Sequence, residues 1–315
     1  MPRSQKWKEV FIWIGLLLPL ALYGYWVMTR PKREPINRQP LFEGITYSRY
    51  VRQQPRPQLI HLLEIDLAAS GIVPFVTPGI DAASLEAAEE PTSSSIQQYE
   101  SVQQYETIAQ KTSSFLEMYG LQLAVNANFF NPFAETTPWQ YSPREGEPGN
   151  LIGLAISEGE IVSPGNQNYP ALCFLGGRAE IRDDGVCPSD TRQAVAGLRL
   201  NLETRPPQDS ETFYKFYPVC VAALDAAGTT LWLLLVDGKQ PLYSEGMTRP
   251  EVADFLQALG AQSAVQLDGG GSTTLAIESD DDPDVINGII HAKIPGNERP
   301  VANHLGFFAN PLRSD

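Results

Sequence analysis

Residues 219–239 read VCVAALDAAGTTLWLLLVDGK, and this stretch decides the fold class. Two apolar runs, at residues 219–224 and 231–236, flank a short segment that ends in Gly228. Short runs rich in Val, Leu and Trp and separated by turn residues are typical of a β-hairpin. We therefore predict two strands here, with Asp237 delivered to a tight turn after the second strand.

The same pattern recurs on both sides of this hairpin. Further strands are predicted at residues 45–52, 59–67, 72–77, 121–130, 151–157, 160–163, 171–175, 178–182, 264–267, 289–293 and 301–308, with the last two paired. Helices are predicted at 112–119, capped by Thr112 or Ser113, and at 248–259, and a helix or surface excursion at 81–110. Many hairpins and few helices predict an α+β fold with a mainly antiparallel mixed β-sheet.

Composition and charge exclude several protein classes. The chain has 315 residues, of which 43% are hydrophobic and 19% charged, so it can bury a large core. Residues 1–60 carry 10 Lys and Arg against 3 Asp and Glu, whereas the rest carries 13 against 34. A body this acidic repels a nucleic-acid backbone, so no nucleic-acid partner is predicted.

The N-terminal segment predicts a membrane anchor. Residues 10–28 are uncharged and just long enough to cross a bilayer as a helix. No A-x-A site follows, which favours an uncleaved anchor over a signal sequence. The predicted organisation is an anchor at 1–29, a linker at 30–40 and one domain at 41–315, with that domain outside the cytoplasm.

The cysteines and histidines do not predict a structural zinc site. The chain has three of each, and none falls in a CxxC or HxxxH spacing. Cys173 and Cys187 flank a predicted hairpin, and the sequence leaves open whether they form a disulfide or remain free thiols. Cys220 lies in an apolar strand and is predicted to belong to the core.

The segment QLDGGGSTT at residues 266–274 is the strongest candidate site. Asp268 ends an apolar strand, and Gly269, Gly270 and Gly271 let backbone N–H groups approach a ligand. A row of such N–H groups forms an anion-binding nest. Ser272 and the two threonines that follow add hydroxyl groups, so a site is favoured over a plain glycine-rich turn.

Other polar strand ends are less specific. On pattern alone, Asp237 before Gly238 is a turn residue. Arg299 before Pro300 is either a surface cation or a phosphate clamp, and the sequence leaves this open. The acidic run at 280–284 lacks the EF-hand spacing, so a solvated loop is favoured over a calcium site. GxSxG, GxxxxGK[ST] and GxGxxG motifs are absent from the sequence.

In combination, these segments resemble the phosphodiester glycosidase family. The resemblance extends from about residue 44 to residue 308, and LDGGGSTT at 267–274 followed by RPVAN at 299–303 is its most specific part. It implies hydrolysis of a sugar-1-phosphodiester or phosphoglycan at the glycosidic C1–O bond, with no cofactor expected. An anchored single domain indicates envelope or exported glycans as the substrate.

The resemblance also implies roles for individual residues. A glycosidase uses two carboxylates around an oxocarbenium-like transition state, and Asp237 and Asp268 are the implied pair, with Glu298 and Glu245 in reserve. Arg299 is the implied catalytic cation. The implied substrate-binding residues are Asn126, Asn128, Gly269, Gly270, Gly271, Ser272, Thr273, Arg192 and Asn303. Gln193 stands where family members commonly have Thr, which weakens the case for Arg192.

Two alternatives remain open at this level. One is a metal-assisted phosphodiesterase that cuts the P–O bond, with Asp237, Asp268 and Asn128 around a divalent cation. The other is an anchored glycan-binding module on the same fold that has no catalytic activity.

Overall fold

The computed structural model describes residues 13, 15, 17–19, 21–25, 33–80, 105–137, 139–203, 214–280 and 282–313. The chain divides into two units, Met1–Glu34 and Pro35–Asp315. In the first unit, the described residues from 13 to 25 are helical. No helix among the described residues combines the length and the apolar character needed to cross a bilayer. Most of the predicted anchor, and residues 81–104 of the predicted excursion, lie outside the described residues, so both stay predictions.

The second unit is built mainly of strands. Its first twelve strands are β1 Ile36–Phe42, β2 Ile45–Arg52, β3 Gln58–Asp66, β4 Val73–Val76, β5 Thr107–Ile108, β6 Leu123–Asn126, β7 Phe130–Asn131, β8 Ala134–Thr137, β9 Gln140–Ser142, β10 Pro148–Leu151, β11 Ala155–Ser157 and β12 Glu160–Ser163.

The remaining strands follow the same short pattern. They are β13 Ala171–Phe174, β14 Ala179–Arg182, β15 Gln193–Ala196, β16 Leu198–Arg199, β17 Val219–Leu224, β18 Thr230–Val236, β19 Ser263–Gln266, β20 Leu275–Ile277, β21 Asp284–Val285, β22 Ile290–His291, β23 Ile294–Pro295 and β24 His304–Phe308. The helices among the described residues of this unit are α1 Thr112–Tyr119 and α2 Arg249–Leu259, and Gly270–Ser272 forms a 3₁₀ turn.

Two large sheets carry the fold. The main sheet has the order β1-β2-β3-β18-β17-β19-β16, and the second sheet has the order β21-β20-β6-β24-β4. A third sheet has the order β12-β11-β15-β13-β14, and three small sheets complete the described part. The neighbouring strands of the main and second sheets pair antiparallel. The predicted α+β class with mainly antiparallel sheet is therefore confirmed.

The apolar run of β18 follows from burial on both faces of the main sheet. Leu231, Leu233 and Leu235 belong to the core that the main sheet shares with the second sheet. The alternate residues Trp232 and Leu234 pack with α2 on the opposite face. A strand buried on both faces needs a continuous apolar sequence instead of an alternating one. Helix α1 packs in a separate cluster with β6 and β20 of the second sheet.

The two helices begin in different ways. Helix α2 begins with a capping box, in which the Thr248 hydroxyl accepts from the Glu251 N–H and Glu251 accepts from the Thr248 N–H. The predicted cap of α1 by Thr112 or Ser113 is wrong, because Lys111 is the N-cap residue and makes no side-chain cap. The Glu298 carboxylate instead accepts from the Ser113 N–H at 3.0 Å and its hydroxyl at 2.6 Å. A carboxylate at a helix N-terminus is favourable. Both oxygens of Glu298 are therefore used in this contact with Ser113.

Two predicted features of the chain differ from the structure. Residues 36–40 of the predicted linker belong to β1, at the edge of the main sheet. Pro40 is tolerated there because one side of an edge strand forms no hydrogen bonds with a neighbouring strand. The predicted pairing of 289–293 with 301–308 is also wrong. Strand β22 pairs with β23, while β24 lies between β6 and β4. Long-range partners of an apolar strand are not encoded in its local pattern.

Cys173 and Cys187 form a disulfide, with their Cα atoms 5.7 Å apart, which decides between the two sequence interpretations. The bond ties β13 to the segment after β14, beside a small cluster that includes Leu154 and Ile156. Cys220 is a free, buried thiol, as predicted.

Removing this disulfide should destabilise the protein. Closing a loop of about 15 residues is worth about 3 kcal/mol in the loop-entropy treatment, so C187S should lower the free energy of unfolding by about that amount. Urea denaturation of the oxidised protein measures the change. Dithiothreitol should destabilise the wild type equally and leave C187S unaffected; a reductant effect on C187S would contradict this assignment.

Candidate functional site

The loop at residues 267–274 crosses from β19 of the main sheet to β20 of the second sheet. Asn126, at the end of β6, holds both ends of this loop. Its Nδ2 donates to the Asp268 carbonyl at 2.5 Å, and its Oδ1 accepts from the Thr274 N–H at 3.1 Å. Asn126 is completely buried. Because both ends of its carboxamide bind backbone, a positioning role is favoured over the sugar contact that the resemblance implies.

The predicted anion nest is not formed. The N–H groups of Gly269 and Gly270 donate to the Asp268 carboxylate and the Pro218 carbonyl, both at 2.9 Å. Those of Ser272 and Thr273 turn back onto carbonyls of the same loop. The loop folds into a 3₁₀ turn, which engages these donors internally. The glycines serve another purpose, which is close packing.

Asp268 is the reactive carboxylate candidate. Its side chain is half-buried, and its Oδ1 accepts from the Gly269 N–H. Burial raises the pKa of Asp268 to about 6, although the Ser272 hydroxyl and the charges of Arg299 and Lys239 lower it in part. A carboxyl group that is perturbed in this way by burial beside cations is a recognised mark of functional sites.

Arg299 is fixed beside this carboxylate by buried partners. Its Nη1 donates to the Ser272 Oγ at 3.2 Å, and its Nε donates to the His291 Nδ1 at 3.1 Å. A Cβ atom at Gly271 would lie 2.5 Å from Nη2, so only glycine leaves room for the guanidinium. Arg299 and Ser272 are therefore joined by a hydrogen bond, and both groups act on the pKa of Asp268.

His291 completes the buried end of this group. Burial and the Arg299 charge lower the pKa of His291 to about 4, against a smaller opposing effect of Glu135, so the ring is neutral at neutral pH. Since Nδ1 accepts from Arg299, Nε2 carries the proton. This Nε2 and the hydroxyls of Thr273 and Thr274 have no hydrogen-bond partner in the described part of the chain. Buried polar atoms without partners are costly unless a ligand or water satisfies them.

A second cation lies near Asp268. The Lys239 ammonium donates to the Tyr217 hydroxyl at 3.0 Å and sits 4.2 Å from the centre of its ring. Gly270 adopts φ of 66°, and a Cβ there would lie 2.7 Å from the same hydroxyl. Sequence reasoning missed Tyr217 and His291, because neither residue stands in a recognisable motif.

Asp237 lies near this group in the sheet but faces inward. Val236 pairs with Val219 and Gln266 pairs with Val221, so β18 and β19 flank β17 and end about 10 Å apart at the same edge. The Asp237 side chain has no exposed surface. The carboxylates of Asp237 and Asp268, which were predicted to act as a pair, therefore do not both face one cleft.

The contacts of Asp237 explain its orientation. Its Oδ2 accepts from the Gly288 N–H at 2.8 Å and lies 3.4 Å from the His61 Nε2, and its Oδ1 accepts from the Asn287 Nδ2 at 3.3 Å. Asn287 in turn donates to the Thr273 carbonyl and accepts from the Leu275 N–H. The geometry favours Asp237 as a support for the loop over the catalytic role that the resemblance implies.

Asn128 and Asn303 are also engaged inside the protein. The Asn128 Nδ2 donates to the Leu154 carbonyl at 3.1 Å, and its Oδ1 accepts from the Ala196 N–H and the Asn303 Nδ2. The Asn303 Oδ1 accepts from the His304 N–H. Both side chains are fully buried, and this favours a role in joining the second and third sheets over contact with sugar.

Arg192 is not brought to this group, contrary to the prediction. It lies at one end of β15, about 13 Å along the strand from Ala196, whose N–H binds Asn128. Its Nη2 donates to the Glu158 carbonyl at 3.4 Å, and the side chain lines a separate surface cavity of about 470 Å³ together with Arg178 and Asp190.

The described residues offer little to a metal ion. They contain no group of three or more His, Cys, Asp or Glu side chains arranged to hold one. Of the three ligands in the metal-assisted alternative, Asp237 and Asn128 accept hydrogen bonds from backbone N–H groups through Oδ2 and Oδ1, and Asp268 accepts one through Oδ1.

The perturbed carboxyl predicts a measurable effect on stability. The pKa of Asp268 in the folded state, about 6, exceeds its ordinary value of 3.8, so wild-type stability decreases as pH rises between these values. Above pH 6 the free energy of unfolding is lower by about 3 kcal/mol because of this shift, and D268N should not show this decrease.

Urea denaturation at pH 4 and pH 7.5 tests this. D268N should be more stable than the wild type at pH 7.5, and the difference should shrink at pH 4. The exposed Asp282 supplies the control, D282N, for which no such change is expected. An equal effect of D268N at both pH values would show that Asp268 is not perturbed.

The chain is similar to known proteins in sequence and in fold. The family model of phosphodiester glycosidases matches residues 119–308. Comparison with curated proteins gives no match. Among solved structures, the catalytic domain of zebrafish N-acetylglucosamine-1-phosphodiester alpha-N-acetylglucosaminidase, auto-inhibited by its pro-peptide, superposes with a TM-score of 0.50 at 18% identity, over 89% of this chain and 87% of that one.

Two bacterial structures share the fold. A Synechocystis protein described as hypothetical has a TM-score of 0.52 at 13% identity. The match covers 85% of this chain and 62% of the Synechocystis protein. A Burkholderia pseudomallei K96243 protein predicted to be exported has a TM-score of 0.53 at 14% identity, over 80% and 74%. Identities this low show the fold alone. The family model, however, covers more than half of the chain, and the protein therefore belongs to the phosphodiester glycosidase family.

Proposed function

We propose that the protein is a hydrolase that cleaves a sugar-1-phosphodiester at the glycosidic C1–O bond. The observation that carries this proposal is the loop geometry, in which Arg299 binds the Ser272 hydroxyl on the same short loop that holds Asp268, whose pKa is raised by burial. Membership of the phosphodiester glycosidase family supports a glycosidase-type hydrolase.

Asp268 is the carboxylate that acts at the sugar in this proposal. Its pKa of about 6 keeps it ionised at neutral pH while making it a stronger base than an ordinary carboxylate. It acts in its ionised form, either on C1 directly or through a water. A phosphate leaving group already departs as a stabilised anion, so the reaction depends less on a strong general acid than hydrolysis of an ordinary glycoside does.

Arg299 and Lys239 supply the positive charge for the phosphate. Fixed cations act most strongly in a desolvated site, where they stabilise charge that develops on the leaving group. Arg299 suits this role because its guanidinium stays charged and its Nη2 group, which its buried partners do not use, can donate to a phosphate oxygen. The His291 Nε2 and the hydroxyls of Thr273 and Thr274, which are buried without partners in the described part of the chain, are further candidate donors for the substrate.

The proposed location is outside the cytoplasm, with a membrane anchor at the N-terminus and envelope or exported glycans as substrates. The disulfide between Cys173 and Cys187 supports an oxidising compartment. The uncharged segment at residues 10–28 supports an anchor. The predicted export of the Burkholderia protein of the same fold is in keeping with this location.

The pH dependence of hydrolysis tests the role of Asp268. Because the ionised form acts, kcat/KM for a sugar-1-phosphodiester should rise with pH and level off above about 6. D268N should lower kcat/KM at least about a hundredfold, whereas the control D282N should leave it unchanged. A rate that falls above pH 6 would assign Asp268 as an acid, and unchanged hydrolysis by D268N would refute the proposal.

Hydrolysis in ¹⁸O-labelled water distinguishes the bond that is cut. Cleavage at C1–O places the label in the sugar, and mass spectrometry of both products detects it. Label in the phosphate would instead identify a P–O phosphodiesterase. If purified protein bound the glycan but turned over no member of a sugar-1-phosphodiester panel, with or without chelator, the glycan-binding module would be the better interpretation.

A further inference from the structure

A small hairpin covers the cationic end of the site. Its strands are β8 and β9, which pair with each other and with no other strand of the described part. Glu135 on β8 forms an ion pair with the Arg299 Nη2, and its Oε2 lies 3.6 Å from the His291 Nδ1. The Tyr141 ring on β9 packs edge-on against His291 at 4.4 Å. The hairpin thus meets the site through side chains.

The contacts of Arg299 separate into two groups. Nε and Nη1 bind the buried residues His291 and Ser272, which hold the guanidinium whether or not the hairpin is present. Nη2 points to the Glu135 carboxylate on the hairpin. An anionic ligand that binds Arg299 would therefore meet it where Glu135 now lies.

We propose that Glu135 substitutes for the substrate phosphate on Arg299, and that a substrate must displace this carboxylate in order to bind. The inference rests on the proposed function, since it assigns the phosphate to Arg299. It makes Glu135 a residue that competes with the substrate for Arg299.

The cost of this exchange depends on the unequal exposure of the Arg299 and Glu135 side chains. The Arg299 side chain is 9% exposed and the Glu135 side chain 25%. When a ligand displaces Glu135, the carboxylate regains water, whereas the arginine stays desolvated. A phosphate restores a partner to Arg299, but a neutral leaving group would leave a buried charge unpaired, which is strongly unfavourable. Neutral glycosides are therefore rejected.

The hairpin is suited to release this contact. All four residues of β8 are exposed, and an isolated two-stranded hairpin is only marginally stable by itself. Its attachment to the site includes the ion pair of Glu135, the contact of Tyr141 and the Phe133 ring, which lies 4.7 Å from the Arg299 Cζ. Displacing the carboxylate does not disturb a strand ladder of the large sheets.

Binding of inorganic phosphate to the purified full chain tests the exchange without requiring turnover. E135Q keeps the shape of the side chain and removes its charge, so the dissociation constant measured by calorimetry should fall about tenfold. E145Q is the matched control, because Glu145 is exposed and pairs with Lys111 instead of Arg299. It should change the constant less than twofold. E135A should tighten binding as E135Q does, and equal affinities of both Glu135 variants and the wild type would overturn the proposal.

A kinetic comparison tests the same exchange during turnover. In E135Q, kcat/KM should rise about tenfold for a sugar-1-phosphodiester and by a similar factor for the neutral p-nitrophenyl glycoside of the same sugar, because neither substrate then displaces a charged partner from Arg299. If E135Q instead abolished turnover of both substrates with phosphate affinity unchanged, Glu135 would be a catalytic carboxylate and the proposal would be wrong. If the wild type turned over neither substrate while E135Q still bound phosphate more tightly, the exchange would stand and the proposed function would fail.

Discussion

The carboxamide of Asn126 holds the two sheets in the relation on which the candidate site depends. One side chain on the second sheet binds the first and the last residues of the crossing loop, Asp268 and Thr274, and so sets where the loop leaves the main sheet and where it joins the second. Asn126 and Thr274 are fully buried, so losing either bond would leave a desolvated donor or acceptor of Asn126 without a partner. The loop is therefore rigid at both ends, and its short span forces the 3₁₀ turn between them.

That constraint explains why three glycines stand in the loop. With its ends fixed, the turn passes so close to Arg299 and Tyr217 that a Cβ at Gly271 or Gly270 would overlap them. Close backbone approach allows the guanidinium to reach Ser272, on the same loop as Asp268. The inward network of Asp237 and Asn287 braces the same loop from the opposite side. Catalytic geometry of this kind is held by surrounding residues that never touch a substrate.

The sequence predicted local features well and long-range ones poorly. Apolar runs located most strands, and an Asp before three glycines located the loop. A strand end shows where Asp237 lies along the chain, but not that its side chain turns toward His61. The proximity of Glu135 to Arg299, and the distance of Arg192 from both, depend on how separate sheets and hairpins meet. The local sequence pattern of a strand does not encode how sheets and hairpins pack against each other, so contacts between separate elements were missed or misplaced.

The net charge of −14 does not oppose binding of a phosphate in this arrangement. Charges on the surface are screened beyond about 8 Å at physiological salt, so a ligand in the site responds mainly to the groups around it. Arg299 and Lys239 are close enough to lower the pKa of Asp268, yet burial still raises it overall. At Asp268, the effect of desolvation is therefore larger than the effect of the neighbouring positive charges. An anion that enters the site exchanges solvent for fixed cations, and the acidic surface contributes to solubility.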